Sequence, residues 1–175
     1  MPGIAKAARV SVGGLYGRFS SRDALLSAVH DRYRKKRDEH LSSRLDSSNI
    51  AVCLSIRIKA VVRAFIDLHS ENAGVLRSFL ITKWLNEAAP VSPEISHEIQ
   101  VHRDCVVDFL VEALPGSEQK TKRKAIERAT SYIISISKDQ IVVTPDNPTE
   151  RDALNTNLLA NDLEKIARLI IDNCA

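Results

Sequence analysis

Hydrophobic residues recur at three- and four-residue spacing along most of this chain, which is the period of a helix with one buried face. Between these periodic segments stand Ser-Asn, Gly and Pro residues, which are typical of the ends and starts of helices. The segment Ile141 to Thr144 has strand composition, but a lone short strand would have nothing to pair with, so we expect a helix end or a loop there. The sequence therefore predicts an all-α protein, with long helices over residues 22–45, 50–69, 75–87, 93–113, 120–138 and 149–173.

The first 26 residues carry shorter elements than the rest of the chain. Ile4 and Ala5 begin a short apolar helix, and Ser11 can cap a second helix that extends to Phe19. Ser20 and Asp23 are then three apart, as in an N-terminal capping box with Asp in place of Glu, and open the third helix. Two short helices joined by a tight turn are typical of a helix-turn-helix, which places its second helix in the major groove of DNA.

Charge is distributed unevenly between the two ends of the chain. The overall net charge is +3, yet residues 1–45 contain ten Lys or Arg against four acids, a net charge of +6. The remaining residues contain 15 Lys or Arg and 18 acids, a net charge of −3. A basic head on a mildly acidic body fits DNA binding, because neutralising phosphates supplies most of the non-specific affinity. A solvated helix face around residues 32–37 would show the same local excess.

The run IAKAARVSVGGLYGRFSSRDALL resembles the DNA-binding segment of TetR-family (tetracycline-repressor-like) transcriptional regulators. The resemblance implies a helix-turn-helix head with its connecting helix over residues 1–45, and a helical ligand-binding and dimerisation body over residues 46–175. It also implies that the first family helix is missing, so we expect the native protein to be longer. The matching positions are Ile4-Ala5, Val10-Ser11, Gly13, Leu15-Tyr16, Phe19 and Arg22.

The resemblance assigns the head residues roles on DNA. Tyr16 and Arg22 are expected to contact phosphates, whereas Phe19 is expected in the core. Arg18, the only long donor on the second helix, could read a guanine or contact the backbone. The alternatives are that Tyr16 is a packed aromatic and Arg22 a solvated charge. The predicted DNA-binding residues are Lys6, Arg9, Ser11, Gly13, Gly14, Tyr16, Arg18 and Arg22.

Two features should weaken this head. Gly13, Gly14 and Gly17 would each cost about 0.5 to 1 kcal/mol inside a helix, so the second helix should depend on its neighbours. Arg9 stands in the turn where the family often has Gly, and a left-handed conformation there would cost roughly 1 to 2 kcal/mol.

For the body, the resemblance implies an effector pocket and a homodimer interface. The aromatic and histidine residues expected at a mostly apolar pocket are Phe65, His69, Phe79, Trp84, His102, Phe109 and Tyr132; each could instead be ordinary core. The apolar faces of the last two helices are expected at the dimer interface, although they are equally compatible with packing inside one chain. Their residues are Ile133, Ile136, Leu158, Leu159, Leu163, Ile166 and Ile170.

Other classes of function find little support in the sequence. There is no phosphate-binding Gly-rich loop after a strand, no HExxH, no GxSxG and no convincing metal cluster, so we expect neither an enzyme nor a cofactor or bound metal. Cys53, Cys105 and Cys174 are isolated and odd in number, so we expect reduced thiols buried as small apolar residues. No apolar run is long enough to cross a bilayer and no signal peptide is evident, which predicts a cytoplasmic protein without a membrane partner.

The predicted function is a ligand-responsive transcriptional regulator. We expect a homodimer that binds double-stranded operator DNA, acts as a repressor and is released by a small apolar molecule. The alternative is a helical dimeric module that binds a small molecule or a protein and carries a vestigial head that does not bind DNA.

Overall fold

The computed structural model describes residues 2–48, 53–85, 93–142 and 155–173, with the backbone alone for residues 80–85 and 93–99. Every regular element within these residues is an α-helix, so the predicted all-α class is confirmed. The helices are α1 (Pro2–Ala7), α2 (Val12–Tyr16), α3 (Arg22–Arg44), α4 (Leu54–Leu85), α5 (Pro93–Val111), α6 (Gly116–Val142) and α7 (Thr156–Asn173). No described helix has the length and apolar character required to cross a membrane.

The chain divides into two compact units, residues 1–39 and residues 40–175, with the division inside α3. In the first unit, which we call the head, α1 packs against α2. Ala5 and Leu15 are the buried apolar residues of these two short helices. The head therefore has a small core.

The second unit, which we call the body, is built around α6. This helix packs against α4, α5 and α7, and α4 also packs against α5 and α7. Apolar residues at helical spacing on each element turn inward, which removes them from water and supplies most of the folding free energy. Residues with at most 1% exposure include Ile58, Val61, Val62, Val106, Leu110, Ile126, Ile133, Leu163 and Ile171.

α4 is longer than the spacing of apolar residues predicts. The interruption expected at residues 71–74 is present as a kink, because Asn72 has a non-helical backbone (φ −118°, ψ 15°), but α4 continues on both sides of it. The side-chain Nδ2 of Asn72 donates to the carbonyl oxygen of Leu68 at 2.7 Å. Ala73 is 3% exposed, and beyond the kink the Arg77 Nε donates to the Val142 carbonyl of α6 at 2.9 Å. The local helix-breaking signal thus produces a bend, and contacts with the rest of the body continue past it.

The other predicted bounds agree in part. The helix expected from Pro93 runs to Val111, close to the predicted end, and α6 extends through Ile141 and Val142, so the strand-like segment begins as helix. Cys53 and Cys105 are exposed free thiols, so the expectation that they are buried is wrong. The predicted helix starts at residues 50 and 149, the loop at residues 90–92 and Cys174 lie outside the described residues.

Candidate nucleic-acid interface

The turn between α1 and α2 is built by Arg9 in a left-handed conformation, with φ 55°. The Val10 N–H donates to the Ala5 carbonyl at 3.0 Å and the Arg9 N–H to the Lys6 carbonyl at 3.2 Å. This pair of bonds is the Schellman arrangement, which satisfies the last carbonyls of a helix and normally has glycine at the left-handed position. Arginine there carries the strain that the sequence predicted, because its Cβ crowds the backbone.

α2 begins where the sequence predicts and ends earlier. Ser11 is its N-cap, with extended backbone (φ −71°, ψ 152°), and the Ser11 Oγ accepts from the Gly14 N–H at 2.9 Å. The helix covers only Val12–Tyr16, and Gly17 caps its C-terminus through bonds to the carbonyls of Gly13 and Leu15. The prediction that α2 extends to Phe19 is wrong, because the chain turns after Gly17.

Gly13 and Gly14 differ in how much space surrounds them. A methyl group on Gly13 would meet no atom within 4 Å, whereas a methyl group on Gly14 would lie 3.0 Å from the Ser11 Oγ. The absence of a side chain at residue 14 therefore lets the cap hydroxyl approach the helix. At residue 13 it leaves open backbone on an exposed surface.

α3 begins one residue later than the predicted capping box requires. The Ser21 Oγ accepts from the Ala24 N–H at 3.0 Å, so Ser21 rather than Ser20 is the cap. Either serine satisfies the preference for a hydroxyl at this position, and the close of the preceding turn decides which one is used. The cap places Arg22 at the first helical position of α3.

The predicted DNA-binding residues all lie on the surface of the head. Tyr16 has 50% of its surface exposed, so it is not the packed aromatic of the alternative interpretation. Among the residues that the structure describes, its hydroxyl has no hydrogen-bond partner. The exposed residues are Lys6, Arg9, Ser11, Gly13, Gly14, Arg18 and Arg22, and within the described chain none of these four cations forms an ion pair. Solvated cations beside an amphipathic ring are suited to phosphate contact.

Arg18 has a different position from the predicted one. It follows the C-cap, with its N–H bonded to the Leu15 carbonyl at 3.1 Å, and therefore belongs to the turn between α2 and α3. Residues 12–16 of α2 contain no cation. The placement of Arg18 on α2 is thus wrong, and its place in the turn suits a phosphate contact, while its reading of a guanine stays a prediction.

The residues predicted for the effector pocket, as far as the structure describes them, lie at positions of different exposure. Phe65 and His69 are buried in the body, with ring centroids 5.8 Å apart, and Phe109 is buried beneath Arg57. Tyr132 is 47% exposed. His102 and Phe79 are half-buried, and the side chain of Trp84 lies outside the described residues.

The buried imidazole of His69 has its hydrogen-bond partner within the core of the body. Its Nδ1 lies 3.0 Å from the Ser137 Oγ, and that hydroxyl lies 2.6 Å from the Ile133 carbonyl, to which it donates. The hydroxyl proton is thereby used, so the imidazole Nδ1–H donates to the Ser137 Oγ. Burial, and then the charge of Lys138, lower the pKa of His69 from 6.5 to about 4. The imidazole is therefore neutral at pH 7 and its partner is a serine.

Two polar features of the body were not predicted from the sequence. The first is Arg57, which is 2% exposed, has its guanidinium carbon 4.5 Å from the Phe109 ring centroid, and donates to the Phe109 carbonyl. It also pairs with Glu112 at 3.1 Å, and Glu112 accepts from Ser47 at 2.9 Å. These two hydrogen bonds lower the pKa of Glu112. The network joins the segment after α3 to α4 and to the end of α5.

The second feature is an open groove of about 480 Å³ on the body. Gln100 and Arg103 of α5 form one wall. Five residues of α6 form the other, namely Lys124, Glu127, Arg128, Ser131 and Tyr132. The i, i+3, i+4, i+7 spacing on α6 was visible in the sequence, but only the packing of α5 beside α6 makes this face a groove. We call this feature the α5–α6 groove.

The residues predicted for the dimer interface separate into two groups. Ile133 and Leu163 have 1% exposure and belong to the core of the body, so assigning them to an interface is wrong. Leu158 and Ile166 are exposed, at 58% and 37%, whereas Ile136, Leu159 and Ile170 are half-buried. Leu169, at 61% exposure, adds to the apolar surface of α7.

A capped helix, a tight left-handed turn and a second capped helix, with cations outward, define the head as a helix-turn-helix of the DNA-binding class. Residues 1–29 match the family model described as bacterial regulatory proteins, tetR family. The first 29 residues are thus similar to the DNA-binding segment of TetR-family transcriptional regulators. A search of curated proteins found no match. A search of solved structures found none either.

Proposed function

We propose that this protein is a ligand-responsive transcriptional repressor that works as a cytoplasmic homodimer without enzymatic activity. In this proposal residues 1–45 bind double-stranded operator DNA, and residues 46–175 bind a small, largely apolar effector and dimerise. Effector binding releases the protein from its operator. The alternative, a dimeric binding module with a vestigial head, is an outcome of the test below.

The observation that carries the proposal is the surface of the head. Tyr16 is half exposed beside a well-capped α2, and the exposed cations Arg18 and Arg22 follow it in the turn and at the start of α3. The intact Ser11 cap on α2 favours a head that binds DNA over a vestigial one. Phosphate contacts from such residues position a helix-turn-helix on the duplex.

Dimerisation supplies what a single head lacks. Two recognition helices about 34 Å apart can enter successive major grooves on one side of DNA, which multiplies the affinity of each. The exposed apolar residues Leu158, Ile166 and Leu169 of α7 support an interface between two copies. Burying such residues against a partner removes them from water.

The experiment selects duplexes from a random library with the wild-type chain and then measures binding by fluorescence anisotropy at several salt concentrations. We expect the affinity to fall steeply between about 50 and 200 mM salt, because counterions are released from the duplex. Replacement of Arg22 by Gln should weaken binding to all duplexes and reduce the salt slope by about 1. Tyr16→Phe should lower the affinity for all duplexes to a similar extent, because it removes a hydroxyl contact.

Arg32→Gln is the matched control, because Arg32 is an exposed cation of the same helix outside the predicted interface. It should leave the salt slope unchanged. If no duplex is bound, or if Arg32→Gln and Arg22→Gln have equal effects, the head does not bind DNA as proposed. The first of these results would favour the vestigial-head alternative.

A further inference from the structure

The α5–α6 groove has walls that are fixed by the core of the body. Its residues on α6 recur at i, i+3, i+4, i+7 and i+8 from Lys124, which places them on one face of the helix. The buried residues Ile126 and Ala129 of α6 and Val106 and Val107 of α5 belong to the core. The groove therefore lies on packed helices, and its volume of about 480 Å³ falls within the range of small-molecule sites.

The groove residues that the structure describes carry a net positive charge. Arg103, Lys124 and Arg128 contribute three cations, whereas Glu127 contributes one carboxylate. Glu127 also pairs with Arg123, whose Nε lies 3.4 Å from its Oε1, and Arg123 holds Asp108 at 2.8 Å. The side chain of Arg103 donates to the amide oxygen of Gln100, which orients its guanidinium along the α5 wall. An anion is the ligand that this set of charges attracts.

Tyr132 supplies the apolar part of the same site. Its side chain is 47% exposed at the end of the groove opposite Lys124 on α6. An exposed aromatic ring gives a large contact area at low cost in conformational entropy, and the methylene stems of Arg128 and Lys124 extend the apolar surface. The groove thus combines cationic groups with an apolar wall.

We propose that the α5–α6 groove binds a small organic acid, whose carboxylate is held by Arg103 and Lys124 and whose apolar body packs against Tyr132. This inference narrows the effector of the proposed function to an amphipathic anion, and in its regulatory part it rests on that function. Occupation of the groove is a property of the body and is measured without DNA.

The test uses isothermal titration calorimetry of the full chain with octanoate, its neutral counterpart octanamide, and inorganic phosphate. We expect saturable binding of octanoate and weaker binding of the other two probes, because only octanoate has both the charge and the apolar body. Lys124→Gln and Arg103→Gln should each lower the affinity for octanoate about fivefold, the effect of one charge at about 4 Å in water. Glu127→Gln should raise the affinity for octanoate by a similar factor, whereas a loss of structure would lower it.

Lys120→Gln is the matched control, because Lys120 lies one turn before Lys124 on α6, is exposed and does not line the groove. It should leave the affinity for octanoate unchanged. Equal affinities for octanoate and octanamide, an equal loss in Lys120→Gln, or no saturable binding of octanoate would overturn the proposal. Circular dichroism of each variant confirms that the helices are retained.

The regulatory part is tested separately by adding octanoate to the complex with the selected duplex. Release of DNA by octanoate from the wild type but not from Lys124→Gln supports the groove as the effector site. Octanoate binding without any effect on DNA overturns the regulatory part and leaves the site intact. Failure of the chain to bind any duplex counts against the proposed function, whereas the calorimetry still decides whether the groove takes an anion.

Discussion

The head and the body are stabilised in different ways. In the head, α1 and α2 bury only Ala5 and Leu15, and their geometry depends on local hydrogen bonds at Ser11 and Arg9. In the body, each of four long helices buries apolar residues at 0 to 1% exposure. Because burial of apolar surface is the dominant favourable term in folding, the body should unfold at a higher free energy than the head. In the proposed function, the locally held head can adjust to a duplex, whereas the proposed effector site has walls fixed by the core of the body.

The largest expected effect comes from cutting into the core of the body. Ile126→Ala removes a side chain with 0% exposure and should lower the free energy of unfolding by about 2 to 5 kcal/mol. Urea denaturation followed by circular dichroism measures this change. The control Ile56→Ala, at 48% exposure and outside every proposed site, should change it by less than about 0.5 kcal/mol. Similar losses for the two variants would contradict the assigned core.

Lowering the pH should reduce the free energy of unfolding of the body, because His69 is buried in its neutral form. Its pKa is about 4 in the folded chain and 6.5 when unfolded, so the unfolded state binds the proton first as the pH falls. Stability contributed by the neutral imidazole is present above pH 6.5 and is lost progressively toward pH 4, by about 3 kcal/mol in all. Denaturation at several pH values measures the slope. His69→Gln, which keeps a donor for Ser137, should flatten this part of the profile, and an unchanged slope would count against burial of the ring.

A smaller change with the opposite sign is expected at Thr130. Its Oγ1 is buried, and among the described residues it has no hydrogen-bond partner. Thr130→Val should therefore raise the free energy of unfolding by about 1 to 2 kcal/mol, measured by urea denaturation. Ser137→Ala is the contrasting variant, because its hydroxyl accepts from His69 and the loss leaves a buried donor unpaired. If both variants destabilise equally, the Thr130 hydroxyl has a partner.

In the head, two variants of Arg9 distinguish the effect of its left-handed backbone from the effect of its charge. Arg9→Gly relieves the left-handed residue and should stabilise the turn by about 1 kcal/mol, whereas Arg9→Ala keeps the strain. Exchange of the Val10 amide hydrogen, which is bonded to Ala5, measures the local effect. Both variants should reduce the salt slope of DNA binding equally, because both lose one cation. Equal exchange rates in the two variants would show that the turn is unstrained.

The smallest expected effect concerns the glycines of α2. Gly13→Ala adds a methyl group into open space and should stabilise the helix by about 0.5 to 1 kcal/mol. Gly14→Ala places the same methyl group 3.0 Å from the Ser11 Oγ and should gain less, because the cap must move. Amide exchange at residue 14 distinguishes the two. An equal gain would show that the Ser11 side chain moves aside without cost.

What the sequence alone determined about this protein depends on neighbouring residues in the chain. The Ser11 cap, the strained turn at Arg9 and the bounds of α3 follow from side-chain chemistry within one or two helical turns, where the geometry is fixed by the backbone. The resemblance to the tetR family was visible in the same short segment. The choice between Ser20 and Ser21 was missed, because two adjacent hydroxyls satisfy the same local rule.

Only the tertiary structure decided how the long helices use their faces. Local signals at residues 71–74 indicate a break, yet α4 continues beyond a kink at Asn72, and Arg77 beyond it donates to the Val142 carbonyl of α6. Apolar spacing could not separate Ile133 and Leu163, which the core buries, from Leu158, which it leaves exposed. The buried Arg57 and the α5–α6 groove also depend on residues far apart in the chain. A periodic pattern predicts that a helix has an apolar face, and only the packed structure determines which residues of that face are buried and against which elements.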